Sequence, residues 1–170
     1  MNDTRSTLCY PGFRFPAEII GHAVWLYHRF TLSFRDSEVL LAERGIIVTH
    51  ETIRQWCLRF GQEYANSIMN TDKLASYGAA RKQMRLSIEH RQHKGLNNRA
   101  ENSHQPTRQK ERQMKKFKSP GKAQRFLSAH GPINNLFRPR RHLLKATAYR
   151  AARKQAFSTW LEAIDHAVAA

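Results

Sequence analysis

Residues 33–60 read SFRDSEVLLAERGIIVTHETIRQWCLRF, and this stretch decides the fold class. Ser33 and Asp36 stand three apart, a capping-box-like pair with Asp in place of the usual Glu or Gln. They predict a helix start. Val39, Leu40 and Leu41 are expected to supply the buried face of that helix. Gly45 ends it, because glycine takes up the left-handed backbone of a helix C-terminus without a β-carbon penalty. Ile46-Ile47-Val48 makes the turn, and Thr49 caps a further helix with apolar positions Ile53, Trp56, Cys57 and Phe60. Helix, short glycine-containing turn, helix is the helix-turn-helix pattern. Its last helix is expected to expose His50, Glu51, Thr52, Arg54, Gln55 and Arg59, and Thr49 at its start is a further candidate DNA contact. In a DNA-binding version, the N-terminal part of this helix meets base edges. Arg54 suits a guanine there and Gln55 an adenine. A small helical bundle with an ordinary polar face satisfies the same spacing.

Upstream, Phe15-Pro16 precedes a helix with Ile19, Ile20, Ala23, Val24, Tyr27 and Phe30 on one face. Downstream, Pro106 is expected to start or kink a helix that reaches Phe117. Ser119-Pro120 opens the next, with Ala123, Phe126 and Leu127 apolar, and Gly131-Pro132 is expected to interrupt it. The last helix runs from about Thr147 to Ala167, with a stripe of Phe157, Trp160, Leu161, Ile164 and Val168.

Charge divides the chain of 170 residues. Residues 1–66 carry seven Arg and seven acids and sum to zero. The remaining 104 hold 22 Lys or Arg against six acids, so all of the net +16 lies there (22 − 6 = 16). Such a field favours a polyanion, DNA or RNA before membrane, because neutralised phosphates release counterions. No apolar run reaches membrane-spanning length, and Met1-Asn2-Asp3-Thr4-Arg5 does not read as a signal peptide. Cys9 and Cys57 suggest neither a disulfide framework nor a zinc site. The expected location is cytoplasmic and DNA-associated. His90 and His93 lie three apart but have no third ligand at metal-site spacing, so they read as surface residues.

Particular blocks resemble insertion-sequence DDE transposases of the insertion-sequence-six family. Phe13 to Ile20, Leu32 to Asp36, Leu41 to Ile46 and Thr52 to Trp56 look like the family's N-terminal helix-turn-helix. Thr71-Asp72-Lys73-Leu74 and Ser76 to Ala80 resemble the block that holds its second catalytic Asp. Asn97-Asn98-Arg99-Ala100-Glu101-Asn102-Ser103-His104 resembles the block that holds its third carboxylate. Phe117 to Pro120 and Phe137 to His142 look like its C-terminal end.

The resemblance implies roles for particular residues. Asp72, at the end of a strand, and Glu101, on a helix, would be catalytic acids and Mg²⁺ ligands in a two-metal site for DNA strand transfer. Asn98, Arg99, Asn102 and His104 would support that site or touch DNA. Arg138, Arg140 and Arg141 form a basic loop suited to phosphates, or simply a solvated one. Read from the residues alone, Asp72 is a loop acid or helix cap, and Glu101 an ion-pair partner of Arg99 or Arg108.

One part of the family pattern is missing. No alternating or β-branched run lies between Phe60 and Thr71 to form the first strands, one of which carries the first catalytic Asp. The chain reads as a transposase deleted internally near residues 67–71. The expected fold is mainly α. It comprises a three-helix helix-turn-helix domain at 10–66, then at 71–168 an incomplete ribonuclease-H-like α/β catalytic domain without its first strands. Helices that lack their sheet are expected to form a poorly packed basic tail. The expected partner is double-stranded DNA at the element's terminal inverted repeats. A homo-oligomer, or a mixed oligomer with intact transposase, is also implied. Strand transfer by this chain alone is not expected. The other readings are a DNA-binding competitor or regulator of intact transposase, and a non-specific basic nucleic-acid-binding protein.

Overall fold

The computed structural model describes residues 9–83, 105–139 and 144–169, with the side chains of residues 71–83 and 169 outside the description. Its elements are helices: α1 (Ala17–Arg29), α2 (Phe34–Ala42), α3 (His50–Gln83), α4 (residues 105–113), α5 (Pro120–Leu136) and α6 (Ala146–Ala169). Among the described residues the extended pairing is an isolated bridge between Cys9 and Pro16. The mainly α expectation holds.

The local signals of the first helices act as their chemistry requires. The Ser33 hydroxyl accepts from the Asp36 amide at 3.0 Å, and the Asp36 carboxylate accepts from the Ser33 amide at 2.7 Å. Both ends of the capping box are thus made, and the amide bond holds the Asp36 carboxyl below its usual range. Gly45 has φ +76° and closes α2. The Thr49 hydroxyl accepts from the Thr52 amide at 3.3 Å.

The buried face of α2 differs from the expectation. Val39 is 58% exposed and Leu40 is exposed too, whereas Ser37 and Leu41 are buried. A helix of nine residues has room for one narrow stripe. Here that stripe is Phe34, Ser37 and Leu41, with Phe34 stacked on Tyr27 at 4.0 Å. On α1 the expected positions Ile20, Ala23, Val24 and Tyr27 are buried, but so are Gly21, Leu26 and His28. A helix buried on several sides is central, and α1 touches α2, α3, α5 and α6. Phe30, at its end, is exposed.

The expected strand before Asp72 is absent, because α3 runs from His50 through Gln83 and carries Asp72 on its helical backbone. The physical reason lies in the residues. Tyr64, Ala65 and Ile68 continue the apolar stripe of Ile53, Trp56 and Phe60 at helical spacing, all buried. No β-branched run opposes them.

The C-terminal helices are packed, contrary to the expected loose tail. Both α5 and α6 lie against α1 and α3, and their side chains share one core with Ile20, Trp56 and Phe60. On α6 the buried positions are Ala156, Thr159, Trp160, Ala163 and Ile164, while Phe157 and Leu161 stay exposed. The sheetless stripes have found the N-terminal helices instead. A β-carbon on Gly21 would overlap Cδ1 and Cγ1 of Ile164, so glycine sets the close approach of α1 and α6. The Tyr10 hydroxyl donates to the Ile164 carbonyl at 3.2 Å and lies 2.8 Å from the Tyr64 hydroxyl. This chain of bonds ties the segment before α1 to both α3 and α6.

Gly131-Pro132 does not interrupt α5, which continues to Leu136. Proline inside a helix removes one hydrogen bond, at a cost of about 3 kcal/mol. Ile133 and Phe137, just beyond it, are buried, and two such side chains recover about 3–6 kcal/mol. Ser119 caps α5 through the Lys122 amide at 3.3 Å, with Pro120 in the first turn.

The helix α4 ends early, before Phe117. Lys115 has φ 55° and Lys116 φ 72°. The Lys116 amide donates to the Glu111 carbonyl and the Lys115 amide to the Arg112 carbonyl, both at 3.1 Å. This is the Schellman closure, with lysine where glycine is usual.

Lys110 on α4 is buried, and its ammonium reaches the open end of α1. Nζ donates to the carbonyls of Tyr27 (2.6 Å), Phe30 (3.3 Å) and Leu32 (2.5 Å) and lies 3.6 Å from the Tyr27 ring centroid. Burial pushes the amine down to about 7. The three acceptors pull the other way, since a neutral amine has two N–H bonds to give.

Candidate nucleic-acid interface

The exposed face of α3 holds four of the residues the sequence singled out, with Leu58 exposed beside them and His50 and Thr52 half-buried. Glu51, Arg54, Gln55 and Arg59 are exposed, while Ile53, Trp56, Cys57 and Phe60 turn inward. Most of its charges already have partners. Arg54 donates Nε (2.8 Å) and Nη2 (2.5 Å) to the two oxygens of Glu51, a bidentate pair that holds the Glu51 carboxyl below its usual range. Nδ1 of His50 and its backbone amide both meet Oε2 of Glu38 at 3.0 Å. Arg59 lies 3.8 Å from Glu63. The face is therefore close to neutral by itself.

The missing positive charge comes from another part of the chain. A groove with a cavity volume of about 610 Å³ runs along α3, bounded by Arg54, Leu58 and Gln62 on one side. The turn after α4 and the start of α5 bound the other side with Lys116, Lys118, Lys122 and Arg125. None of the groove residues is acidic. Among the described residues no ion pair involves those four cations. The Ser128 hydroxyl donates to Oε1 of Gln62 at 2.5 Å and fixes α5 beside α3. The left-handed turn at Lys115 and Lys116 redirects the chain into this rim. Sequence reading missed these lysines as site residues. The cation run from Gln105 to Gln155 was the available signal, but it did not say which cations meet α3.

The other expected site residues lie elsewhere. Arg138 follows the C-terminal end of α5, beside Arg29, Lys110 and His130. Helix rise puts it roughly 20 Å along the axis from Lys122, so the structure does not bring Arg138 to Arg54. Arg99, Glu101, Arg140 and Arg141 lie outside the described residues, as do His90 and His93. Asp72 is on α3, with its side chain outside the description. No group of three His, Cys, Asp or Glu that could hold a metal occurs among the described residues. A helical Asp72 does not reproduce the strand-end carboxylate of the expected Mg²⁺ site. Cys57 is buried at the groove, and burial pushes its thiol up, which disfavours the thiolate.

A second polar cluster lies under the groove. His28 and His130 are both buried, with ring centroids 5.8 Å apart and no hydrogen-bond partner on either ring. Burial drives both imidazoles down, assisted by Lys110, and His130 falls to about 4. They are neutral aromatic packing: Phe126 stacks on His130 at 4.7 Å and on His28 at 5.8 Å.

A neutral helical face beside a cationic rim is a surface whose chemistry suits a polyanion. Comparison with known families is more specific. A family model described as the DDE domain of IS240-type transposases matches residues 43–140. The chain belongs to this family of DDE transposases, the insertion-sequence-six group. The family implies use of a divalent metal. Over 52 residues the chain is 44% identical to the transposase for insertion sequence-like element IS431mec of Staphylococcus aureus strain N315, and equally to that of strain MW2. The match covers 31% of this chain and 21% of each relative, so the chain spans about a fifth of the length of these relatives. No solved structure matches it. No helix among the described residues is long and apolar enough to cross a membrane.

Proposed function

We propose that the chain binds double-stranded DNA at the terminal inverted repeats of its element, as a DNA-associated cytoplasmic protein. Here α2 and α3 act as a helix-turn-helix within the 10–66 domain. The carrying observation is the exposed face of α3 set beside Lys116, Lys118, Lys122 and Arg125 across one acid-free groove. With α3 toward base edges, the lysine rim meets phosphates. Arg54 exchanges Glu51 for a base, and Gln55 lies next to it.

The remainder, 71–168, is proposed as a remnant of the ribonuclease-H-like catalytic domain. Asp72 and Glu101 are then two acids of a site whose first Asp is absent, and the chain does not cleave or join DNA alone. A chain that binds ends without cutting them competes with intact transposase or enters mixed oligomers with it. The paired state of Arg54 and His50 favours a second reading, a non-specific basic binder, because a committed guanidinium reads no base.

The test is binding of the full chain to an inverted-repeat duplex and to a scrambled one, over a salt series. Tenfold preference, about 1.4 kcal/mol, abolished by Arg54→Ala supports sequence reading. Equal binding with a steep salt slope supports the non-specific binder. Changing Lys116, Lys118, Lys122 and Arg125 together to Ala is expected to weaken both duplexes alike. It should also lower the salt slope by about 0.9 for each phosphate that is no longer neutralised. Specific nicking of end-bearing DNA in Mg²⁺ would refute the inactive assignment.

A further inference from the structure

The groove beside α3 has a floor that duplex binding does not use. Tyr27 and Phe34 are stacked at 4.0 Å, Phe126 meets Tyr27 edge-on at 6.5 Å, and Phe117 lies 5.5 Å from Phe126. Met114 sits among them and accepts the Tyr27 hydroxyl at 3.3 Å. On the α3 side Leu58 is 60% exposed, an apolar side chain standing at the groove with nothing over it. The volume of about 610 Å³ is within the roughly 300–1,000 Å³ of sites that enclose small organic groups. So a recessed aromatic floor lies beneath a rim of Arg54, Lys116, Lys118, Lys122 and Arg125.

Paired DNA satisfies the rim alone. A duplex offers phosphates and base edges outward, and its base faces are stacked on one another. An unpaired nucleotide offers both an aromatic face and a phosphate. Base-on-aromatic stacking above a cationic track is how single strands are held without sequence preference. A second copy of this chain is a poor occupant, since the net charge of +16 makes copies repel and the rim holds no acid.

We propose that this groove receives an unpaired nucleotide of DNA, its base against Phe117, Phe126 and Leu58 and its phosphates on the lysine rim. The proposal rests on the DNA-binding reading above and adds a preference for disrupted pairing. A site of this kind holds a frayed or extruded base next to the helix that positions the duplex.

The experiment compares the full chain on three DNA probes of one sequence: a blunt duplex, the duplex with two unpaired nucleotides, and the single strand. Unpaired probes are expected to bind about tenfold tighter than the blunt duplex, the scale of one stacked base. Leu58→Gln removes the apolar wall of the groove from an exposed position without adding a charge, so folding is not at risk. It should reduce the preference for unpaired over blunt probes to less than twofold. Phe117→Ala should do the same, with thermal unfolding checked in parallel.

Equal affinity for paired and unpaired probes overturns the proposal and leaves duplex binding standing. A preference that survives both variants also overturns it, by placing the unpaired strand elsewhere. Binding to none of the probes overturns the DNA-binding reading itself. An acidic amphipathic peptide whose binding needs Leu58 and Phe117, while DNA binding does not, assigns the groove to a protein partner and overturns the proposal.

Discussion

Residues 9–70 and residues 105–169 differ in charge, the first neutral and the second basic, and are equals in packing. In the first region the charges that matter are paired within it: Arg54 with Glu51, Arg59 with Glu63, His50 with Glu38. In the second, the cations of the α4–α5 turn and early α5 have no carboxylate against them among the described residues. Yet Trp160 and Ile133 from the second region are as buried as Trp56 and Ile53 from the first, in one core. Separation along the chain is thus undone in space. The neutral region presents a shape, and the basic region, folded back onto it, supplies a positive field beside it. Neither region does both.

The comparison breaks most completely if the shared core is cut. Trp160 is 3% exposed and lies 5.1 Å from Tyr64 and 5.9 Å from Phe137, ring to ring. Trp160→Ala is expected to cost about 3–5 kcal/mol. In denaturant the parent chain should unfold with one transition for both regions. Two separate transitions in the parent would show that the regions fold independently.

Next in size is the tie made by Lys110. Lys110→Met leaves the carbonyls of Tyr27, Phe30 and Leu32 without their donor. The expected loss is about 3 kcal/mol, from buried acceptors at about 1–3 kcal/mol each. Equilibrium unfolding at neutral pH measures it, and an unchanged midpoint would show that water replaces the ammonium fully.

Acid sharpens the comparison, because His28 of α1 and His130 of α5 meet at the junction of the two regions. Both are held below 6.5 when folded, His130 at about 4. Between these values the unfolded chain binds protons that the folded chain does not, so stability is full above 6.5 and falls as pH drops toward 4. At pH 5 the loss from His130 is on the order of 2 kcal/mol. His130→Leu should flatten the midpoint-against-pH profile over this window. A parent profile that is level from pH 7 to 5 would refute the neutral buried pair.

The smallest effect concerns the reading face. Glu51→Gln releases Arg54 from its carboxylate and removes a charge facing DNA. Duplex affinity is expected to rise a few-fold, with no change in melting temperature, since an exposed ion pair contributes little to stability. Weaker binding in this variant would mean that Glu51 orients Arg54 for its partner.

Local grammar was legible. Ser33, Asp36, Gly45, Thr49 and the Ser119-Pro120 pair mark helix ends through hydrogen bonds to residues within a few positions, and each does so here. The faces were less so. Val39 and Leu40 look as apolar as Leu41, and Leu161 as apolar as Ile164, but only one of each set is buried against a neighbour. The candidate DNA face of α3 was legible from its spacing. The lysine rim opposite was not, because nothing in the order of residues says that α5 lies along α3.

The sequence by itself determined the helical class, most helix starts, the charge division and the family, because these depend on local hydrogen bonding, composition and word-like blocks. Tertiary structure alone decided that α5 and α6 cover α1 and α3, that α5 continues past Pro132, and that Lys110 closes the end of α1. Each of these is a balance between a local cost and burial against a distant partner. The local cost can be read along the chain, but the partner exists only once the helices have packed.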